Sequence, residues 1–397
     1  MQIVETFDVA VIGAGVFGAW SAYHLQSSGA RVVLIDAYGP ANSRASSGGE
    51  SRIMRLGYGA DEIYTRSAQR SLKLWQAFFD QIGSNQPGSL LPSYPGEPLF
   101  HRTGVLWLAR ENDSYAQATQ ATLGRTGVAI EQLSRGALAT RYPQLELGPV
   151  AWGILEADSG VLMARQAVRA VVNHVRTLGV DYLQQSVLPP EKNGKLEWVT
   201  TTSGDRIGAR QFVFACGPWL PKLFSELLND LIQVTRQEVF FFGVPADGGR
   251  FAPPNLPVWI DFNDLVYAIP DVDGRGFKVA IDAHGPEFDP DHGERTFTAS
   301  GLRAVRRYLA ERVPTLRDSP LVEARVCQYE NTSSGDFLID RHPEFENLWL
   351  AGGGSGHGFK HGPAVGEYVA RMISGRAEVE PRFTLASKAK VRQRKVF

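Results

Sequence analysis

Apolar runs along the chain mark its buried elements. Residues 7–12, Phe-Asp-Val-Ala-Val-Ile, are almost continuously apolar, as suits a strand buried on both faces of a parallel sheet. Residues 16–28 follow as a helix with Phe17, Trp20 and Leu25 among its apolar positions, and Gly29 ends it. Residues 31–36 form the next buried strand, completing a β-α-β unit. Further strands are predicted over 103–108, 210–215 and 347–351, the second running into Cys216-Gly217-Pro218. Helical periodicity covers 164–178 and about 363–374. Between about 238 and 278, aromatic and polar residues alternate between turn signals, the pattern of an antiparallel sheet. Residues 84–98 are rich in Pro, Gly and Ser and read as a loop leaving the first domain.

Signals of β-α-β type at both ends imply an α/β fold with a Rossmann-type domain assembled from separated segments, 1–90, 153–220 and 327–397. A substrate domain built on an antiparallel sheet, 91–152 and 221–326, is inserted between them. A length of 397 residues accommodates two such domains. Lys and Arg number 41 against 42 Asp and Glu, so charge offers no reason to expect nucleic acid or an anionic membrane as partner. The basic tail (Lys388, Lys390, Arg392, Arg394, Lys395) lacks interleaved aromatic residues apart from the terminal Phe397 and reads as a solvated end. Two cysteines, Cys216 and Cys327, make no disulfide framework and fit a reducing compartment. There is no signal-peptide pattern, membrane-length apolar run or peroxisomal terminus. The expectation is a cytoplasmic monomer or small homo-oligomer with no metal.

The loop Gly13-Ala14-Gly15-Val16-Phe17-Gly18 joins the first strand to the first helix. Its first glycine permits a tight turn, the second admits a pyrophosphate close to the backbone, and the third lets helix and strand pack closely. The helix N-terminus favours the phosphates, and Asp36 lies where an acid accepts ribose hydroxyls and disfavours a 2′-phosphate. The loop itself leaves NAD and FAD open. The segment 44–52, Arg-Ala-Ser-Ser-Gly-Gly-Glu-Ser-Arg, suits a loop running along a large anion, or an ordinary solvated loop.

Cys327-Gln328-Tyr329 and the string Ser355-Gly356-His357-Gly358-Phe359-Lys360, taken with the N-terminal loop, decide more. Together they resemble the monomeric sarcosine oxidase group of FAD-dependent amine oxidases, which also includes N-methyltryptophan, pipecolate and fructosyl amino acid oxidases. The resemblance spans essentially the whole chain. It implies FAD held by Gly13, Gly15, Val16, Gly18, Asp36, Arg44, Ser47, Arg52, Val187, Gly217, Gly356, Gly358 and Lys360. It also implies a covalent link from Cys327 to the 8-methyl carbon of the flavin; by residue type alone, a buried free thiol is the alternative. Cys216 is read as core packing. Arg52 would sit beside the flavin ring, Arg55 and Lys360 would grip a substrate carboxylate, and Lys278 would activate oxygen. Tyr267 and Tyr329 would line the substrate pocket. The implied reaction removes hydride from the carbon next to nitrogen, giving an imine that hydrolyses and hydrogen peroxide from oxygen.

Two positions depart from relatives that act on sarcosine, which carry histidine where this chain has Gly48 and Asp282. Asp282 favours a cationic amine or a polar extension on the substrate, and Glu330 is read as pointing the same way. His284, two residues on, would share a strand face with Asp282. An FAD dehydrogenase with another electron acceptor, and a flavin-binding sensor without catalysis, are the rival readings.

Overall fold

The computed structural model describes residues 3–83, 98–191, 194–246 and 249–391. The predicted proline- and glycine-rich loop therefore falls outside the described residues at 84–97, as does the end of the basic tail from Arg392 onward.

Two large sheets organise the described chain. The first has the path Leu338–Arg341, Leu348–Gly352, Arg206–Phe214, Ile3–Ile12, Val32–Ile35, Asp181–Leu183, with Trp198–Thr200 as an additional antiparallel neighbour of Arg206–Phe214. Its central pairs are parallel, and the expected apolar runs supply them. Side chains at Val9 to Val11 and Val32 to Ile35 are buried on both faces, which is why these runs do not alternate. Helix Val16–Ser27 and helix Gly362–Ile373 pack together tightly: a Cβ at Gly366 would lie 2.4 Å from the Trp20 carbonyl carbon, so only glycine fits there.

The second sheet runs Leu321–Asn331, Gln233–Phe242, Phe277–Ile281, Val266–Ile269, Val258–Asp261, Val105–Ala109, Trp152–Glu156, Glu131–Ser134. It is antiparallel except for one join, where Val258–Asp261 pairs in parallel with Val105–Ala109. That join brings together segments far apart in sequence, so local alternation carries no sign of it. Residues 153 and 327, the expected domain boundaries, fall inside the strands Trp152–Glu156 and Leu321–Asn331 of this sheet. Helices Glu62–Gly83 and Ala299–Arg312 have no counterpart among the expected elements. No helix among the described residues is long and apolar enough to cross a membrane, and no group of three or more His, Cys, Asp and Glu there could hold a metal.

Candidate active site

A cavity of about 380 Å³ begins at the carboxyl ends of the parallel strands and extends to the second sheet. Gly13, Gly15, Val16 and Asp36 line one end, and Arg52, Cys327 and Tyr329 the other. Its first end is built around missing side chains. A Cβ at Gly13 would meet the Ala215 carbonyl oxygen at 2.4 Å, and Gly13 holds a φ of +104° that other residues rarely adopt. A Cβ at Gly18 would lie 1.8 Å from the Gly13 carbonyl oxygen, so Gly18 locks the helix to the turn without lining the cavity. Asp36 accepts the Ala14 N–H at 2.7 Å on one carboxylate oxygen and the Tyr38 and Gly39 N–H groups at 2.9 and 2.8 Å on the other. Burial raises its pKa against the pull of these three bonds.

Ser47, Val187, Gly217, Gly356 and Gly358 also line this cavity. Ser47 does so while its Oγ accepts the Val16 N–H at 3.1 Å, capping the first helix from another segment. Arg44 is not brought to the cavity wall. Its guanidinium lies over the Tyr38 ring, 5.3 Å from the centroid, and donates to the Asp291 carbonyl at 3.2 Å. Cys216 packs against a hydrophobic core cluster, as expected, and also lines the cavity, because its strand ends at Phe214 and the residue already belongs to the turn. Burial pushes its thiol pKa up.

A second, smaller cavity of about 80 Å³ adjoins the far end. Arg52, Cys327, Tyr329, Gly356 and Phe359 line both cavities, so one wall serves the two. Arg55, Tyr267, Asp282 and Lys360 line the small pocket. They come from four separate segments, and both cations are buried.

Arg55 is placed by a feature the sequence does not announce. The carboxylate of Glu156 accepts the Leu56 N–H at 2.7 Å, the Gly57 N–H at 2.9 Å, the Trp107 indole N–H at 2.7 Å and the Ser159 hydroxyl at 2.6 Å. This buried anion pins the turn after Arg55, whose guanidinium stacks over Tyr58 at 4.2 Å and Trp107 at 5.2 Å and donates to the Gly57 carbonyl. Lys360 donates to the Tyr58 hydroxyl at 2.9 Å and to the His357 carbonyl at 3.0 Å. Burial, then the charge of Arg55, hold its pKa well below the usual lysine range. Opposite these cations, Asp282 accepts the Tyr329 hydroxyl at 2.8 Å. Burial raises the Asp282 pKa, while that hydrogen bond, Arg55 and Lys360 pull it down.

Lys278 lines neither cavity. It is 2% exposed, donates to the Ser51 carbonyl at 2.9 Å, and lies 5.7 Å from the Tyr267 ring centroid, behind the pocket wall. Burial, with Arg52 beside it, brings its pKa down to about 7. Arg52 donates to the Cys327 sulfur at 3.3 Å and to the Ser46 carbonyl at 2.8 Å.

Two expectations about this region are corrected. Glu330 faces the large cavity and not the small pocket; it accepts the Ser46 hydroxyl at 2.5 Å, because neighbouring side chains in a strand point to opposite faces. His284 does not share a strand face with Asp282, because that strand ends at Ile281. The residues missed altogether are Tyr58, Glu156, His357 and His361. Only His357 lies in a string singled out from sequence, and a hydroxyl or carboxylate buried by tertiary contacts leaves no local periodic signal.

A family model described as FAD dependent oxidoreductase matches residues 8–372. The chain is 29% identical over 395 residues to the monomeric sarcosine oxidase of Bacillus sp. (strain B-0618), covering 94% of this chain and 93% of the relative. It is 30% identical over 376 residues to the monomeric sarcosine oxidase of Streptomyces avermitilis, covering 92% and 93%. Among solved structures, L-proline dehydrogenase from P. horikoshii superposes with a TM-score of 0.80 at 21% identity, over 96% of this chain and 98% of that one, a likeness of fold.

Proposed function

The chain belongs to the FAD-dependent oxidoreductase family, and from that premise we propose that it oxidises a secondary amine or N-substituted amino acid bearing a carboxylate, giving an imine and hydrogen peroxide. The observation that carries this reading is the wall shared by the two cavities. A ligand in the small pocket would lie against the same residues that close the far end of the dinucleotide cavity.

The residues fit FAD. The near end offers a glycine turn packed directly against the Ala215 backbone, and half-buried Arg52 and Cys327 line the far end, where a ring system would rest. When bound there, FAD supplies a two-electron acceptor for the hydride and a donor to oxygen. The protein does the rest. Arg55 presents a planar fork and Lys360 a compact ammonium to one carboxylate, which orients the carbon next to nitrogen. Asp282, with Tyr329 holding one of its oxygens, faces the amine or a polar extension beyond it. Burial excludes water from these charges and strengthens each contact. Lys278 contributes a positive charge behind the wall, where negative charge develops as oxygen is reduced. Arg52 supports anionic charge at the ring and sits on the sulfur of Cys327, our candidate for a covalent tether.

Anaerobic mixing with a panel of secondary amines and N-methyl amino acids tests the reading. We expect the flavin to bleach with carboxylate-bearing amines and peroxide to form in step with substrate loss in air. A flavin that never bleaches sinks the enzyme reading, and bleaching without peroxide favours a dehydrogenase. Colour left in the supernatant after acid precipitation removes the tether.

A further inference from the structure

Behind Lys360 lies a hydrogen-bonded chain that the proposed chemistry has not used. The Tyr58 hydroxyl is 2.9 Å from Lys360 Nζ and 2.6 Å from His361 Nε2. His361 Nδ1 is 2.9 Å from the Ser67 Oγ. Tyr58 and His361 are fully buried, whereas Ser67 is only half-buried on helix Glu62–Gly83, so the chain leads from the pocket towards the exterior. Proton positions follow from counting donors. A charged Lys360 can only donate, so the Tyr58 oxygen accepts from it and gives its own proton to His361 Nε2. The remaining imidazole proton then sits on Nδ1, facing Ser67.

The side branches do not compete. The His357 Nδ1 stands 3.4 Å from the Tyr58 hydroxyl, but its Nε2 meets the Gly335 carbonyl at 3.0 Å, and a carbonyl cannot pass a proton on. Tyr64, packed on His361, gives its hydroxyl to Asp336 at 3.0 Å, and Arg382 already neutralises that carboxylate at 2.6 Å. The charged and titratable groups around Lys360 are Arg55, Asp282, Glu156, Tyr58, His357 and His361; around His361 they are Lys360, His357, Arg55, Tyr58 and Tyr64.

We propose that Tyr58, His361 and Ser67 form a proton path by which Lys360 passes the ammonium proton of the bound substrate to the exterior. The inference rests on the proposed amine oxidation, in which the neutral amine is the form that loses hydride. The Lys360 ammonium gives a proton to the Tyr58 oxygen as Tyr58 gives its own to His361 Nε2, His361 releases its Nδ1 proton to Ser67, and the Ser67 hydroxyl proton leaves to water. An N–H bond of the substrate ammonium then breaks as one forms on the neutral Lys360 left behind, which restores the ammonium that grips the carboxylate. No electrons change hands, and a proton is released for each ligand bound. Burial and Arg55 make the neutral form of Lys360 accessible, and burial with Lys360 keeps His361 neutral between transfers. The three residues act through Lys360, carrying its proton onward.

The test uses the FAD-loaded enzyme and 2-aminoisobutyrate, an amino acid with no hydrogen on the carbon bonded to nitrogen. Stopped-flow mixing in weak buffer follows binding by flavin absorbance and proton release by an indicator dye. In the wild type both signals rise together. In Tyr58→Phe and His361→Ala, release lags binding by about tenfold or more, and added imidazole shortens the lag in His361→Ala. Ser67→Ala, altered at the half-buried end, gives a smaller lag and guards against a folding defect. Release that stays synchronous in all three variants overturns the path, even where affinity weakens, because that would be positioning of Lys360 alone. Wild-type binding without proton release overturns the path and leaves the carboxylate pocket standing. No binding at all removes both.

Discussion

In the large cavity, what is offered to a ligand comes mostly from main chain and small side chains: the turn at Gly13, the helix start at Gly15 and Val16, and Ser47, Gly217, Gly356 and Gly358. In the small pocket it comes from long charged and phenolic side chains, Arg55, Lys360, Asp282, Tyr267 and Tyr329. The first region has a local centre. The turn and helix start at residues 13–18 form one short segment, with the other small residues brought up to it, and its chemistry suits any phosphate-linked dinucleotide. The second region is assembled by tertiary contacts, with Glu156 bracing one cation and Tyr58 the other. Two neighbouring sites on one wall can thus respond to mutation in opposite ways. Damage to the backbone-built site should remove the cofactor outright. Damage to the charge-built site should leave a loaded enzyme that discriminates poorly.

Gly18→Val is the most severe break of the first kind. A Cβ there would lie 1.8 Å from the Gly13 carbonyl oxygen, too close for any rotamer to relieve, so the helix must part from the turn. We expect protein purified without yellow colour, read as the ratio of flavin to protein absorbance; a normal ratio would show that the cradle is not needed. The matching break in the second region is Lys360→Met or Arg55→Ala. Each leaves a buried carboxylate of the substrate with one cation. The expected loss is about 3–4 kcal/mol of binding, or about 10²- to 10³-fold in kcat/KM, for carboxylate-bearing amines, with flavin content unchanged. Equal losses on an amine without a carboxylate would refute the grip.

The same contrast explains what could be read from sequence. Gly13, Gly15, Gly18 and Asp36 are a spacing pattern set between a buried strand and a helix, and such patterns survive as local signals. The second sheet was legible only in part. Its alternating strands showed, but the parallel join of Val258–Asp261 to Val105–Ala109 links distant segments, and neither segment records its partner. Within the site, Arg55, Lys278, Lys360 and Cys327 came from resemblance, since nothing in their local spacing separates a buried cation from an exposed one. Glu330 was misassigned because adjacency in sequence means opposite faces in a strand. Tyr58, His361 and Glu156 were invisible because their importance lies in whom they touch.

Lys278 tests whether the charge-built region extends behind its own wall. Its ammonium is brought to about 7, chiefly by burial. A lysine with a lowered pKa is charged below that value and neutral above it, so reoxidation of reduced enzyme by oxygen should slow as pH rises through about 7. Lys278→Met should react about 10²-fold more slowly with oxygen at low pH and lose this pH dependence, while anaerobic reduction by substrate changes little. Rapid mixing of reduced enzyme with oxygen measures both. A wild-type rate flat across that range would remove the lysine from the oxygen step.

Asp282→Asn should have the smallest effect and the most informative one. The substitution keeps the shape and can still accept the Tyr329 hydroxyl, but removes the carboxylate that lines the pocket with Arg55 and Lys360. If Asp282 serves only to balance those cations, a loss of negative charge should tighten binding of every carboxylate alike. If it recognises the amine or a polar extension, substrates carrying a second cationic or hydrogen-donating group should lose about tenfold in kcat/KM, while simple N-methyl amino acids hold steady or gain. The ratio between the two substrate classes is therefore the measurement, since it cancels any general change in the pocket. An unchanged ratio would assign Asp282 to charge balance and leave the choice of substrate to the aromatic walls, Tyr267 and Tyr329. A fall in the ratio would mean that the Asp282 carboxylate selects a more polar amine.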